Sequence, residues 1–177
     1  STTNPTRRDS DFDGLADGEE DTDANGRVDI FESDPAVRDS DGDSIIDGLE
    51  VKNGSIPYDI DSDDDGLSDG AEDLNANGRL DEGETHPGNF DTDGDSLPDG
   101  LEIGLTSLIP DPDGDGFLLG TDPALFVADV DPTTNSDPTK WDTDDDGLSD
   151  AEEDQNANGR IDGGETSFLN GDSDGDN

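Results

Sequence analysis

Apolar residues sit beside acids at fixed places in this chain. Leu15, Leu67 and Leu148 each follow a glycine directly, and Val28, Leu80 and Ile161 each stand two residues after one. This pattern predicts small contacts between neighbouring turns rather than a core of long helices or strands. The exception is the stretch from Ile103 to Trp141. It holds Leu105, Leu108, Ile109, Phe117, Leu118, Leu119, Leu125, Phe126, Val127, Val130 and the single Trp, and is expected to form a small hydrophobic core or a contact surface.

The acids carry a twelve-residue pattern. Asp9, Asp11, Asp13, Asp17 and Glu20 fall at positions 1, 3, 5, 9 and 12 of a window with Gly14 at 6 and the Leu15 carbonyl at 7. Oxygens at these positions, with 9 often acting through water, are how an EF-hand-type loop surrounds Ca²⁺ with about six to eight ligands. The window returns with Asp21, Asp23, Asn25, Arg27, Asp29 and Glu32, then with Asp39, Asp41, Asp43, Ile45, Asp47 and Glu50. It recurs with Asp61, Asp63, Asp65, Leu67, Asp69 and Glu72, with Asp73, Asn75, Asn77, Arg79, Asp81 and Glu84, and with Asp91, Asp93, Asp95, Leu97, Asp99 and Glu102. The last complete windows are Asp142, Asp144, Asp146, Leu148, Asp150 and Glu153, then Asp154, Asn156, Asn158, Arg160, Asp162 and Glu165. Two more are imperfect. Asp111, Asp113, Asp115 and Phe117 meet Leu119 at position 9 and Asp122 at position 12, and Asp172, Asp174 and Asp176 are followed only by Asn177. The Leu, Ile, Phe and Arg residues at position 7 enter through their carbonyls.

Windows start at residues 9, 21 and 39, at 61, 73 and 91, and at 142, 154 and 172, so steps of 12 and then 18 recur in three triples. Repeats on this scale read as a quasi-linear array. Glu20 runs directly into Asp21, Glu72 into Asp73 and Glu153 into Asp154, leaving no room for EF-hand helices. The expected fold is therefore mostly irregular coil, with at most a helical turn around positions 9 to 12 and slight strand content. It is an elongated, calcium-stabilised array of tandem loops. Pro5, Pro35, Pro57, Pro87 and Pro138 each stand four residues before a leading Asp and favour an extended approach. The units are expected at 1–60, 61–102, 103–141 as an insertion, and 142–177.

Composition makes the cation necessary. The chain has 52 Asp plus Glu against 8 Lys plus Arg, a formal charge of −44, and only 25% apolar residues. Such a chain cannot offset an ordering cost of roughly 1–2 kcal/mol per residue by apolar burial alone. One Ca²⁺ in each complete window still leaves about −28, which favours a rod over a sphere. Extracellular calcium modules bind at about 10⁻⁴–10⁻³ M, so weak sites argue for an extracellular or cell-surface location. No cysteine is present, so disulfides do not stabilise the fold. The chain opens on Ser1 without a signal peptide or transmembrane run and reads as a mature or excised segment of an exported protein.

The segments DSDDDGLSDGAED (61–73), DTDGDSLPDGLE (91–102) and SDPTKWDTDDDGLSDAEED (136–154) resemble bacterial thrombospondin type 3 repeats over roughly residues 4–102 and 133–177. The resemblance implies a calcium-binding, solenoid-like spacer in secreted or surface proteins, often a stalk between an anchor and a working domain. Ser44 and Ser96, where glycine usually stands at position 6, and the absence of the cysteines of the animal repeats depart from it.

No nucleophile paired with a base, no phosphate loop and no basic patch is present, and the negative field repels nucleic acid. A structural role as surface stalk or fibre subunit is therefore expected, with no catalysis and no membrane insertion. Asp172, Asp174 and Asp176 leave a cation half-coordinated, which water or a neighbouring subunit in a head-to-tail polymer would complete. The alternative role is a calcium-dependent adhesin or dockerin-like module, gripping a protein or glycan through Phe117, Phe126 or Trp141. An intracellular calcium sensor is disfavoured, because tandem loops lack helices that open and close. His86 reads as a turn residue, Trp141 as core, and Asn53-Gly54-Ser55 as a weak glycosylation sequon.

Overall fold

The structure is a computed structural model, and it describes residues 3–112 and 119–173. The described residues are mostly coil. They contain five short helices: α1 Asp17–Glu20, α2 Asp47–Asn53, α3 Asp69–Glu72, α4 Asp99–Glu102 and α5 Asp150–Glu153. Among them there is no strand, only an isolated bridge between Gly163 and Glu165. None of these helices is long and apolar enough to cross a membrane.

Every helix begins at position 9 of a window, as the spacing predicts. After α1, α3 and α5 the next residue is the leading Asp of another window, and Asp21, Asp73 and Asp154 take a non-helical backbone. The new loop thus stops the helix after one turn. No second window begins directly after Glu50 or Glu102; α2 runs on to Asn53 and ends on Gly54 in the left-handed conformation, whereas α4 stops at Glu102.

One set of hydrogen bonds builds each helical loop. In the window from 61 to 72, the Ser62 amide and hydroxyl donate to the two oxygens of Asp69 at 2.9 and 2.6 Å. The Ile56 amide donates to the Ser62 hydroxyl at 2.7 Å, and the Asp69 amide closes onto the Ile60 carbonyl. The same arrangement recurs at Ser10 with Asp17, Ser40 with Asp47, Thr92 with Asp99 and Thr143 with Asp150. A Ser or Thr at position 2 is therefore as much part of the loop as its acids. The Ser167 amide bonds to the Ser173 hydroxyl in the same way ahead of the last window.

Consecutive helical loops touch through position 10. A Cβ on Gly48, Gly70 or Gly100 would fall on the carbonyl oxygen of Asp13, Asp43 or Asp65, position 5 of the preceding helical loop. At these three junctions backbone meets backbone and only glycine fits without a shift, while Ala151 takes position 10 of the last helical loop.

The interior is acidic. Among the described residues, Ala16, Ile45, Leu67, Leu97, Leu101 and Phe168 are the buried apolar residues, and eighteen Asp and Glu residues are buried beside them. Ile45, Leu67 and Leu97 occupy position 7 of successive loops, so that position does pack inward. Leu148, at the same position, stays exposed. Val28 and Leu80, at position 8 of second loops, also remain on the surface. The accessible surface of 9075 Å² is about a tenth above the ~8,200 Å² of a compact monomer of this mass.

The insertion is a strap rather than a core. Leu125, Val130 and Trp141 are exposed, and none of its described apolar side chains is buried. It holds on through polar contacts instead. The Thr121 hydroxyl donates to Asp61, the Asp122 amide to Asp64, and the Thr134 hydroxyl to the Gly159 carbonyl. Phe126 and Leu105 lie over Gly66, where any side chain would collide with them. Phe117, together with Asp113 and Asp115 of the imperfect loop, lies outside the described residues.

Candidate metal centres

Each helical loop turns one set of carboxylate oxygens outward to its own backbone and another inward. In the window from 39 to 50, Asp39 accepts from the amides of Gly42 and Ser44, Asp41 Oδ1 from Asp43, and Asp43 Oδ1 from Ile45. The second oxygens of Asp41 and Asp43, and both oxygens of Glu50, are buried with no hydrogen-bond partner. The same split recurs: the partnerless oxygens include Asp11 Oδ2, Asp13 Oδ2 and Glu20 Oε2 in the first loop, and Asp63 Oδ2 with both Glu72 oxygens in the third helical loop. Asp93 Oδ2 and Glu102 Oε2, then Asp144 Oδ2 with both Glu153 oxygens, complete the set.

These oxygens converge. Carboxylates of Asp9, Asp11 and Asp13, of Asp39, Asp41 and Asp43, of Asp61, Asp63 and Asp65, and of Asp21, Asp23 and Glu32 lie within 4.8 Å of one another in each group and could hold a metal ion. Positions 1, 3 and 5 of the sequence pattern are thus brought together. Position 12 joins them electrostatically: Glu72 is raised chiefly by burial and next by the charges of Asp63, Asp65 and Asp69.

The metal-free electrostatics are severe. Burial, reinforced by neighbouring acids, pushes Glu50 and Glu102 up to about 10 and Glu72 up to about 11. Glu20 and Asp41 rise to about 8 for the same reasons. No base answers them, since all eight Lys and Arg side chains are exposed. The ion pairs among the described residues, Arg8–Glu19, Lys140–Asp137 and Arg160–Asp162, are on the surface. A buried carboxylate without a partner is too costly to keep ionised, so the centres suit a cation and nothing else in the chain substitutes for one.

The second loop of each triple is built differently. Asn77 and Asn75 donate their side-chain amides to Asp81 Oδ2, and Asn75 also reaches Glu84. Asn158 and Asn156 repeat this with Asp162 and Glu165, and Asn25 with Asp29. Rotating the amide of Asn75, Asn77 or Asn156 by half a turn would exchange its nitrogen for an oxygen at the same place, whereas Asn25 and Asn158 hold Oδ1 on the Arg27 and Arg160 amides. The leading acids Asp73 and Asp154 are buried, and their Oδ2 atoms accept from the amides of Gly78 and Gly159.

Every complete loop places positions 4 and 6 at positive φ. Gly14, Gly66 and Gly147 occupy position 6, with Phe12, Asp64 and Asp145 at position 4. In the two loops where serine holds position 6, Ser44 at φ 93° and Ser96 at φ 94°, glycine has moved to position 4 as Gly42 and Gly94. The loop geometry survives that departure. Each loop therefore keeps one glycine and one strained residue, a cost of roughly 1–2 kcal/mol apiece.

Sequence spacing alone does not disclose Asp129. It is 5% exposed, its Oδ2 has no partner, and its carboxylate lies against Gly159 of the last complete loop, near Asp154. Asp59, two residues ahead of a window, likewise buries an unpartnered oxygen. Asp111, Asp122 and Asp172 are described as single residues of their windows, while Asp174 and Asp176 lie outside the described residues.

No protein-family model, no curated protein and no solved structure matches this chain.

Proposed function

We propose that this chain is a calcium-stabilised array of tandem loops that works outside the cell as a stiff stalk or fibre subunit, in the manner of the thrombospondin type 3 repeats it resembles. The observation that carries the reading is the set of buried, inward-facing carboxylate oxygens without partners, two or more in each helical loop, in a chain whose bases are all exposed. All the available donors are hard oxygens, and neither cysteine nor clustered histidine is present to favour zinc or copper. A bidentate acid in a flexible twelve-residue loop suits Ca²⁺ better than Mg²⁺, which keeps its waters and demands near-octahedral geometry. Positions 1, 3, 5 and 12 would hold the ion, and its two positive charges would neutralise the acids that otherwise prevent folding.

Stiffness follows from order. Each ion ties one loop to its own helix, and the position 10 contact ties loop to loop, so a filled array has few free torsions. A site with a dissociation constant of ~0.1 mM in ~1 mM calcium contributes roughly 1.4 kcal/mol. Removing calcium is expected to turn the ordered chain into an expanded coil. Circular dichroism before and after chelation, with metal content measured by mass spectrometry, tests this. An ordered, protease-resistant chain containing no metal would overturn the reading.

The exposed Leu125, Val130 and Trp141 favour a second reading, in which the strap is the face that grips a protein or glycan. Loss of adhesion in Trp141→Ala, with calcium content unchanged, would support it.

A further inference from the structure

We infer that the aspartate at position 9 of a helical loop serves two loops at once: it braces its own loop and is the cross-loop acid for the cation of the helical loop before it. The inference rests on the calcium reading above and adds a ligand that the twelve-residue pattern cannot supply.

Asp47 is the clearest case. Its carboxylate lies within 4.8 Å of those of Asp13 and Glu20, which belong to the first window, whereas Asp47 belongs to the third. The three residues are 0%, 4% and 2% exposed, and Asp13 Oδ2 and Glu20 Oε2 have no hydrogen-bond partner. Oxygens held at 2.3–2.6 Å around one Ca²⁺ are up to about 5 Å apart, so the spacing of these three fits a single ion. Asp47 is fixed there by its own loop, through the Ser40 amide at 2.8 Å and the Ser40 hydroxyl at 2.6 Å. Each of those bonds uses one lone pair of an oxygen, leaving another for the ion.

The arrangement repeats because position 10 is anchored on the preceding loop. The Gly100 amide donates to Asp65 Oδ2 at 3.0 Å and the Ala151 amide to Asp95 Oδ2 at 2.7 Å. With position 10 pinned to position 5 of the loop before, position 9 must lie beside that loop's acids. Asp69 accordingly feels the charge of Asp43, and Asp150 that of Asp95. The contact between Ala151 and Asp95 spans the insertion, so the strap leaves the stacking of helical loops intact.

The shared acid couples the two loops, and by linkage the coupling is reciprocal. Ordering the window from 39 to 50 presents Asp47 to the ion of the window from 9 to 20, and filling the earlier site favours order in the later loop by the same factor.

The test is a calcium titration of the ¹⁵N-labelled full chain followed by amide resonances, comparing wild type with Asp47→Asn. Asparagine keeps the shape and an oxygen for Ser40 but removes the charge. The expected result is a rise of about tenfold or more in the half-filling calcium concentration for amides of residues 9–20, and a change of under about threefold for residues 39–50. A shift confined to 39–50 would show that Asp47 is a brace only and overturn the inference while leaving the calcium reading standing. If wild type itself takes up no calcium, both fall. Should Asp47→Asn fail to order in saturating calcium, Asp69→Asn, read at residues 39–50 against 61–72, decides in the same way.

Discussion

Glu50, Glu72 and Glu102 make the metal-free chain's response to pH a quantitative test. They sit in separate loops, are at most 2% exposed, and are pushed by burial up to about 10, 11 and 10. The ordinary glutamate value of 4.5 applies when the chain is unfolded. Between these limits the folded, metal-free chain holds protons that the unfolded chain has released, so its stability falls as pH rises. At pH 7 each of the three costs about 3 kcal/mol, at 1.36 kcal/mol per pH interval above the unfolded value. Together that is ~10 kcal/mol, as much as a whole domain's stability. At pH 5 the cost is under about 1 kcal/mol each by the same linkage relation.

The chelated, dialysed chain should therefore be expanded at pH 7 to 8 and contract as it is brought to pH 5, kept above the isoelectric point near 4.1. Small-angle scattering should show the radius of gyration falling from about 45 Å toward about 16 Å, the scaling values for an unfolded and a compact chain of this length. With calcium bound the order reverses: the chain is compact at pH 7, and acid competes with the ion for the same oxygens. A metal-free chain that is compact at pH 8, or no smaller at pH 5 than at pH 8, would refute the electrostatic account of the interior.

Three substitutions probe other links. Glu72→Gln replaces a bidentate acid by a neutral group directly against Asp73, and calorimetry should show its own site weakened about tenfold or more, with the site of 73–84 disturbed through the junction; two unchanged sites would mean that the register of ligands is wrong. Ser44→Gly and Ser96→Gly should each raise the melting midpoint in calcium by the equivalent of about 0.5–1 kcal/mol, because glycine relieves the positive φ while adding freedom to the unfolded chain. A loss of stability at both positions would show that the serine side chains contribute something that the strain argument omits. Gly70→Ala places a methyl group on the Asp43 carbonyl and should cost about 2–3 kcal/mol by separating adjacent loops, read as a drop in the denaturation midpoint in saturating calcium; a neutral result would mean that the position 10 contact is not close.

Much of the loop interior is legible in sequence because metal ligation and turn chemistry are local. Acids at 1, 3 and 5 converge with no help from distant residues, and the step of 12 that joins Glu20 to Asp21 and Glu72 to Asp73 limits α1 and α3 to one turn. The exchange of glycine between positions 4 and 6 is also written in the chain, as DSDGDS at 39–44 against DSDDDG at 61–66, although it takes the backbone angles to show that both positions lie at positive φ. Position 2 is readable too. A Ser or Thr stands directly after the leading Asp in every helical loop, and its hydroxyl links the approach segment to Asp at position 9.

What the pattern hides is how loops meet, because contact between loops depends on a rotation and rise that no twelve-residue window encodes. Asp47 scans as a ligand of its own loop, yet its oxygens accept from Ser40 and lie beside Asp13 and Glu20. The insertion misleads for a related reason. A run containing Leu105, Leu125, Phe126, Val130 and Trp141 suggests a core wherever apolar side chains can find one another. Here the Thr121 and Thr134 hydroxyls and the Asp122 amide are committed instead to polar contacts with Asp61, Gly159 and Asp64, and those contacts spread the apolar side chains along a strap. Burial in this molecule thus falls to the acids, and the energy that apolar contacts supply in an ordinary domain must come from whatever neutralises them. On the calcium reading proposed above, order is conditional on cation concentration, and a chain whose stiffness is set by its surroundings would suit a place where calcium is abundant.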